Sequence, residues 1–140
     1  MKHVLSRARE AALKVLYRAD MLRETPSPAD LDALLAEQNL RRSAIDYARR
    51  LIDGCIAEKE AIDAIIAATL DNWDLTRLAA IDRAILRVAA YEIVRTKETP
   101  PAAIINDAIE LAKKYSTDKS GPFVNGILDR IRATHRGEAR

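Results

Sequence analysis

From Leu78 to Val94 the chain brings an apolar side chain back to one side every three or four residues: Leu78, Ile81, Ile85, Val88, Ala89 and then Glu92 or Ile93. That is the period of an α-helix, not the two-residue alternation of a strand. Leu86 and Ala90 widen the apolar face, so this helix is expected at the centre of the molecule. Ala, Leu, Ile, Arg and Glu dominate the composition and aromatics make up only 4%, which favours helices over sheets. A chain of 140 residues fits one domain and can bury a core without disulfide staples.

The same period marks out the other helices. The first is expected from Ser6, as N-cap, to Leu22, with Leu5, Ala8, Ala12, Val15, Leu16, Ala19 and Leu22 on a core face. Arg7, Lys14 and Arg18 lie opposite, and Leu13, Tyr17 and Met21 form a second apolar stripe at four-residue spacing. That stripe fits packing against a helix of the same chain as well as it fits a docking surface for a partner. Pro26 and Pro28 place a loop at 25–30. A short helix is expected near Leu31–Glu37, then one capped by Ser43 and running through Ile45, Ala48, Leu51, Ile52 and Cys55. Gly54 inside it points to a close helix crossing. The apolar run 61–70 continues or follows that helix, and residues 70–78 form a joint holding the only tryptophan, Trp73, read as a core plug. Pro100 and Pro101 end the Leu78–Val94 helix. Another spans Ala102–Lys114, with Glu110 and Lys114 as an i,i+4 pair. The last runs from Pro122 to Ala133. The expectation is an all-α bundle of about seven helices in two small packed subdomains, about 1–70 and 71–133, with a disordered tail at 134–140.

Charge is unevenly spread. Net charge is +2. Residues 1–23 hold six Lys/Arg against two acids, and residues 113–140 hold seven against three, so each end carries +4 and the middle −6. If the ends meet, they form one positive patch suited to nucleic acid. Signals of catalysis are poor. His3 and His135 lie near opposite termini, and with the single Cys55 they make no zinc spacing. No glycine-rich phosphate loop is present. We therefore expect no enzyme activity, no cofactor and no metal. One cysteine suits a reducing cytoplasm. No apolar run approaches a membrane span, and MKHVLSRARE has no signal-peptide stretch.

Two segments point to RNA. RAREAALKVLYR, residues 7–18, is an arginine-bearing helix start able to contact phosphates. At the other end Lys119 and Ser120 precede Pro122, which opens a helix whose free amides can take an anion. Phe123 in that first turn is either a core residue or a stacking platform for an unpaired base. Gly126, mid-helix at a cost of about 1 kcal/mol against alanine, is expected to admit a close neighbouring helix or another backbone.

With RAREAALKVLY (7–17), WDLTRLAAIDRAILRVAAYEI (73–93), INDAIELAKKYS (105–116) and FVNGILDRI (123–131) in this order, the chain resembles the NusB family of transcription antitermination factors over nearly its whole length. The resemblance implies an all-α fold of two small subdomains and a role without catalysis. It implies binding to the boxA element of ribosomal RNA leader transcripts, together with the small-subunit ribosomal protein NusE, within the RNA polymerase antitermination complex. Carried over by position, Arg7, Arg9, Lys119, Phe123 and Asn125 are RNA-binding and Tyr17 and Asp82 face the partner; the basic residues Lys2 and Lys14 are added to the expected RNA-binding set, and the stripe residues Leu13 and Met21 to the expected partner-binding set. The Leu13/Tyr17/Met21 stripe also fits a homodimer. Asp107 stands where the family usually carries Glu, Pro122 where a basic residue is common, and the N-terminal arginines are sparser, which implies more reliance on NusE for RNA affinity. Two rivals compete. A pure protein-interaction adaptor would make no RNA contact. An RNA cytosine methyltransferase carrying a similar bundle would need a long C-terminal cofactor domain.

Overall fold

The computed structural model describes residues 2–71 and 74–136, excepting the side chains of residues 2 and 3. Trp73, expected as a core plug, lies outside the described residues. Among those described there are seven α-helices, one short 3-10 turn and no strand. The helices are α1 (Lys2–Leu22), α2 (Pro28–Ala36), α3 (Arg42–Ala57), α4 (Lys59–Thr69), α5 (Ala80–Arg95), α6 (Pro101–Tyr115) and α7 (Ser120–Arg136).

Local chemistry explains several boundaries that differ from expectation. The helix α2 starts at Pro28 rather than Leu31, because proline is tolerated in a first turn. Ser27 closes a capping box there: its Oγ accepts from the Asp30 amide at 3.1 Å, and the Asp30 carboxylate accepts from the Ser27 amide at 3.2 Å. Ser43 does not cap α3, which begins one residue earlier after Arg41 with no side-chain cap. Glu58, at φ −112° and ψ 25°, separates α3 from α4. Ser6 does not cap α1, since the helix already runs from Lys2. The final helix starts two residues before Pro122 and continues to Arg136, so 134–136 are helical rather than tail; residues 137–140 lie outside the described residues.

The packing centre is α5. It contributes ten buried residues, from Ala84 to Val94, and packs against α1, α3, α4, α6 and α7. The core face of α1 is wider than the helical wheel suggests, because α3 and α5 cover it from two sides. Ala8, Ala11, Ala12, Leu13 and Val15 are all buried, whereas Leu22, at the end of the helix, is 51% exposed. At Gly54 the close crossing is present: a Cβ there would lie 2.0 Å from the ring of Tyr91 on α5. At Gly126 it is absent, since a Cβ would meet nothing within 4 Å.

Candidate functional site

The arginine-bearing start of α1 splits into two kinds of residue. Arg7 and Lys14 are exposed, whereas Arg9 points the other way and is only 4% exposed. The Nε and Nη2 of Arg9 donate to the two carboxylate oxygens of Glu92 at 2.9 and 2.7 Å, and its Nη1 donates to Asp107 Oδ2 at 2.7 Å. Ser6 Oγ donates to the same Asp107 oxygen at 2.8 Å, and Tyr47 OH donates to Glu92 Oε2 at 2.7 Å. Burial alone would lower the Arg9 pKa, but the hydrogen bonds and charge of Glu92, then of Asp107, raise it overall. Arg9 is thus corrected from an RNA contact to the buried anchor of α1 on α5 and α6. The sequence held a signal for this. Glu92 falls on the apolar arc of the central helix, and a carboxylate 0% exposed requires a buried counter-charge.

The two basic ends do not meet by direct packing of the first helix on the last. The helix α1 packs on α2, α3, α5 and α6, while α7 packs on α4, α5 and α6. What joins the two basic segments is the C-terminal end of α6. Lys114 Nζ reaches Glu10 on α1 at 2.6 Å, and Tyr115 OH donates to the same Glu10 carboxylate. Glu110 accordingly pairs with Lys113, at 3.5 Å, and not with Lys114. Burial would raise the Glu10 pKa, but the hydrogen bonds from Lys114 and Tyr115 hold it below the ordinary glutamate range. From Tyr115 the chain turns through residues 116–119 directly into α7.

Lys119 just before α7 and Asn125 in its first turns are both exposed, and Phe123 between them is partly buried and packs on the core. The expected anion cradle of free amides is not there. Ser120 N–H donates to Thr117 O, Phe123 N–H donates to Lys119 O, Pro122 has no N–H, and Gly121 is buried. Cationic and aromatic side chains are what this junction presents. Gly126 and Asn125 share its exposed side. The side chain of Lys2 lies outside the described residues.

Beside this junction, Leu13, Lys14, Tyr17, Ile81 and Tyr115 line a cavity of about 380 Å³. Leu13, whose stripe fits internal packing as well as docking, is 1% exposed and so packs inside the chain while lining this cavity. Tyr17 is partly buried and Met21 is 58% exposed. Asp82, next to Ile81, accepts from Ser120 Oγ at 3.1 Å. Burial pushes the Cys55 thiol up to about 12, and no metal-binding group of three His, Cys, Asp or Glu occurs among the described residues. No described helix is long and apolar enough to cross a membrane.

Residues 6–133 match the family model described as the NusB family. The chain belongs to the NusB family. It is 40% identical over 126 residues to the transcription antitermination protein NusB of Anaeromyxobacter dehalogenans, covering 90% of this chain and 88% of that protein. Identity to the NusB of Elusimicrobium minutum is 41%, over 89% and 90% of the two chains. The fold is similar to that of a T. maritima NusB crystal form, with a TM-score of 0.82, 40% identity and coverage of 93% and 91%. It is also similar to a chain in a crystal structure of the antitermination factors NusB and NusE in complex with double-stranded RNA, with a TM-score of 0.85, 34% identity and coverage of 96% and 99%. This is a family of transcription antitermination proteins, not of enzymes.

Proposed function

We propose that this NusB-family chain binds boxA RNA of ribosomal RNA leader transcripts together with NusE, as a component of the RNA polymerase antitermination complex. The observation that carries the reading is the α6–α7 junction. It presents Lys119, Phe123 and Asn125 at the surface and is pinned to the basic helix α1 through Glu10. Phe123 offers its ring to one unpaired base, since base–aromatic stacking tolerates any base. Lys119, Arg7 and Lys14 supply phosphate contacts, and Lys2 extends that set at the N-terminus. Gly126 leaves bare backbone where RNA can approach closely. Tyr17, Met21 and Asp82 face NusE, with the Tyr17–Ile81–Tyr115 cavity taking an apolar side chain of that partner.

Filter binding tests this. Labelled boxA RNA and a scrambled RNA of equal length are titrated with the chain, with and without NusE. Preferential binding of boxA, tightened by NusE, is the expected result. Capture of NusE with no preference for boxA would overturn the RNA role and leave a protein-interaction adaptor.

A further inference from the structure

One hydrogen bond joins the first turn of α5 to the first residue of α7. Ser120 Oγ donates to Asp82 Oδ2 at 3.1 Å. The buried Ser120 hydroxyl also meets Ser116 Oγ at 2.8 Å and Thr117 Oγ1 at 3.2 Å. A hydroxyl has one proton to give and two lone pairs to fill. With its proton on Asp82, Ser120 accepts from both neighbours and is fully used. The second carboxylate oxygen is not. Asp82 Oδ1 is sealed from solvent and has no hydrogen-bond partner among the described residues. Leaving a buried acceptor unpaired costs about 1–3 kcal/mol, so a donor that reached this oxygen would be favoured by about that much. Asp82 directly follows Ile81, which lines the cavity with Tyr17 and Tyr115.

We propose that Ser120 is a positioning residue that couples occupation of the Tyr17–Ile81–Tyr115 cavity to the RNA-facing start of α7. The inference rests on the reading that a protein takes the cavity and RNA takes the α6–α7 junction. The fitting partner segment carries an apolar side chain next to an N–H or O–H donor. The apolar group fills the cavity and the donor pairs Asp82 Oδ1. As the carboxylate turns to that donor, it carries Ser120 Oγ with it. Ser120 is bonded to Lys119, lies within one turn of Phe123, and shares its hydroxyl with two residues of the 116–119 loop, so these groups move together. The linkage is reciprocal: RNA held at Lys119 and Phe123 strengthens partner binding by the same factor.

The test uses the full chain, boxA RNA and NusE. RNA affinity is measured without and with saturating NusE, and NusE affinity is measured without RNA. Wild type is compared with Ser120→Ala and Ser120→Thr. In wild type, NusE should tighten RNA binding by about fivefold or more. Ser120→Ala should keep both separate affinities within about twofold yet lose most of the tightening, and Ser120→Thr, which retains the hydroxyl, should restore it. A purely structural role would lower stability or the separate affinities without changing the tightening. Amide hydrogen exchange on the wild type gives a readout independent of how the variant folds: NusE alone should alter protection in residues 116–121. Equal tightening in wild type and Ser120→Ala, or unchanged exchange at 116–121, overturns the coupling while leaving both surfaces in place. A wild type that binds neither boxA RNA nor NusE overturns the underlying reading and the coupling with it.

Discussion

Gly54 and Gly126 are both helical glycines, yet they do opposite things. At Gly54 the missing Cβ is occupied space: the Tyr91 ring stands 2.0 Å from where that carbon would be. Gly54→Ala should therefore force α3 from α5 and lower unfolding free energy by about 1–3 kcal/mol, read by urea denaturation. At Gly126 the added methyl meets nothing. Gly126→Ala should raise stability, by up to about 1 kcal/mol in the same assay. If the exposed backbone is where RNA comes close, that more stable variant should also bind boxA RNA more weakly. Cys55 makes a third residue-scale case. Only 6% exposed and with its thiol pushed up to about 12 by burial, it should resist iodoacetamide at pH 8 in the native protein and react once urea unfolds the chain.

At the scale of elements, α1 is held by charge as well as by its apolar face. Arg9→Ala would strand Glu92, which is 0% exposed. Denaturant titration should show a drop in stability of about 3–5 kcal/mol, the range for breaking a buried pair from one side. The same helix also responds to acid. Glu10 and Asp20 have pKa values held below the ordinary range, burial being outweighed by Lys114 and Tyr115 in one case and by Arg83 in the other. A depressed carboxylate adds stability above its unfolded pKa, about 3.9–4.3, and that stability disappears as pH falls through the folded value. Stability should hold from pH 7 to about pH 5 and then fall, and Glu10→Gln should shrink that fall. Much of this element scale is legible in the sequence. The Leu78–Val94 period marks the central helix, Pro26, Pro28, Pro100 and Pro101 mark the breaks, and Gly54 marks the crossing. What stays hidden depends on distant partners. Arg9 and Glu92 are 83 residues apart, so the sequence around α1 alone leaves Arg9 among the surface arginines. Leu13 stays open between packing and docking for the same reason, since one helix cannot show what covers it. Lys114 finds Glu10 rather than Glu110 because the end of α6 lies against α1.

Across the whole molecule, a net charge of only +2 conceals basic ends and an acidic middle. The fold brings those ends together through the last turn of α6, not by direct packing of α1 on α7. Arg7 and Lys14 on α1 and Lys119 before α7, which are among the cations left exposed, contribute to the salt response. Replacing Arg7 and Lys119 together by alanine should flatten the dependence of log affinity on log salt by about 0.7 for each phosphate that is no longer neutralised. The central claim is that RNA is held at the α6–α7 junction, and Phe123 reports on that most directly. The deciding measurement is boxA RNA affinity, with NusE present, for Phe123→Ala against wild type, with circular dichroism to show that the helices persist. Stacking on Phe123 predicts binding weaker by about 1–3 kcal/mol in the variant. Unchanged affinity with an intact fold would contradict the claim and leave Phe123 a packing residue only.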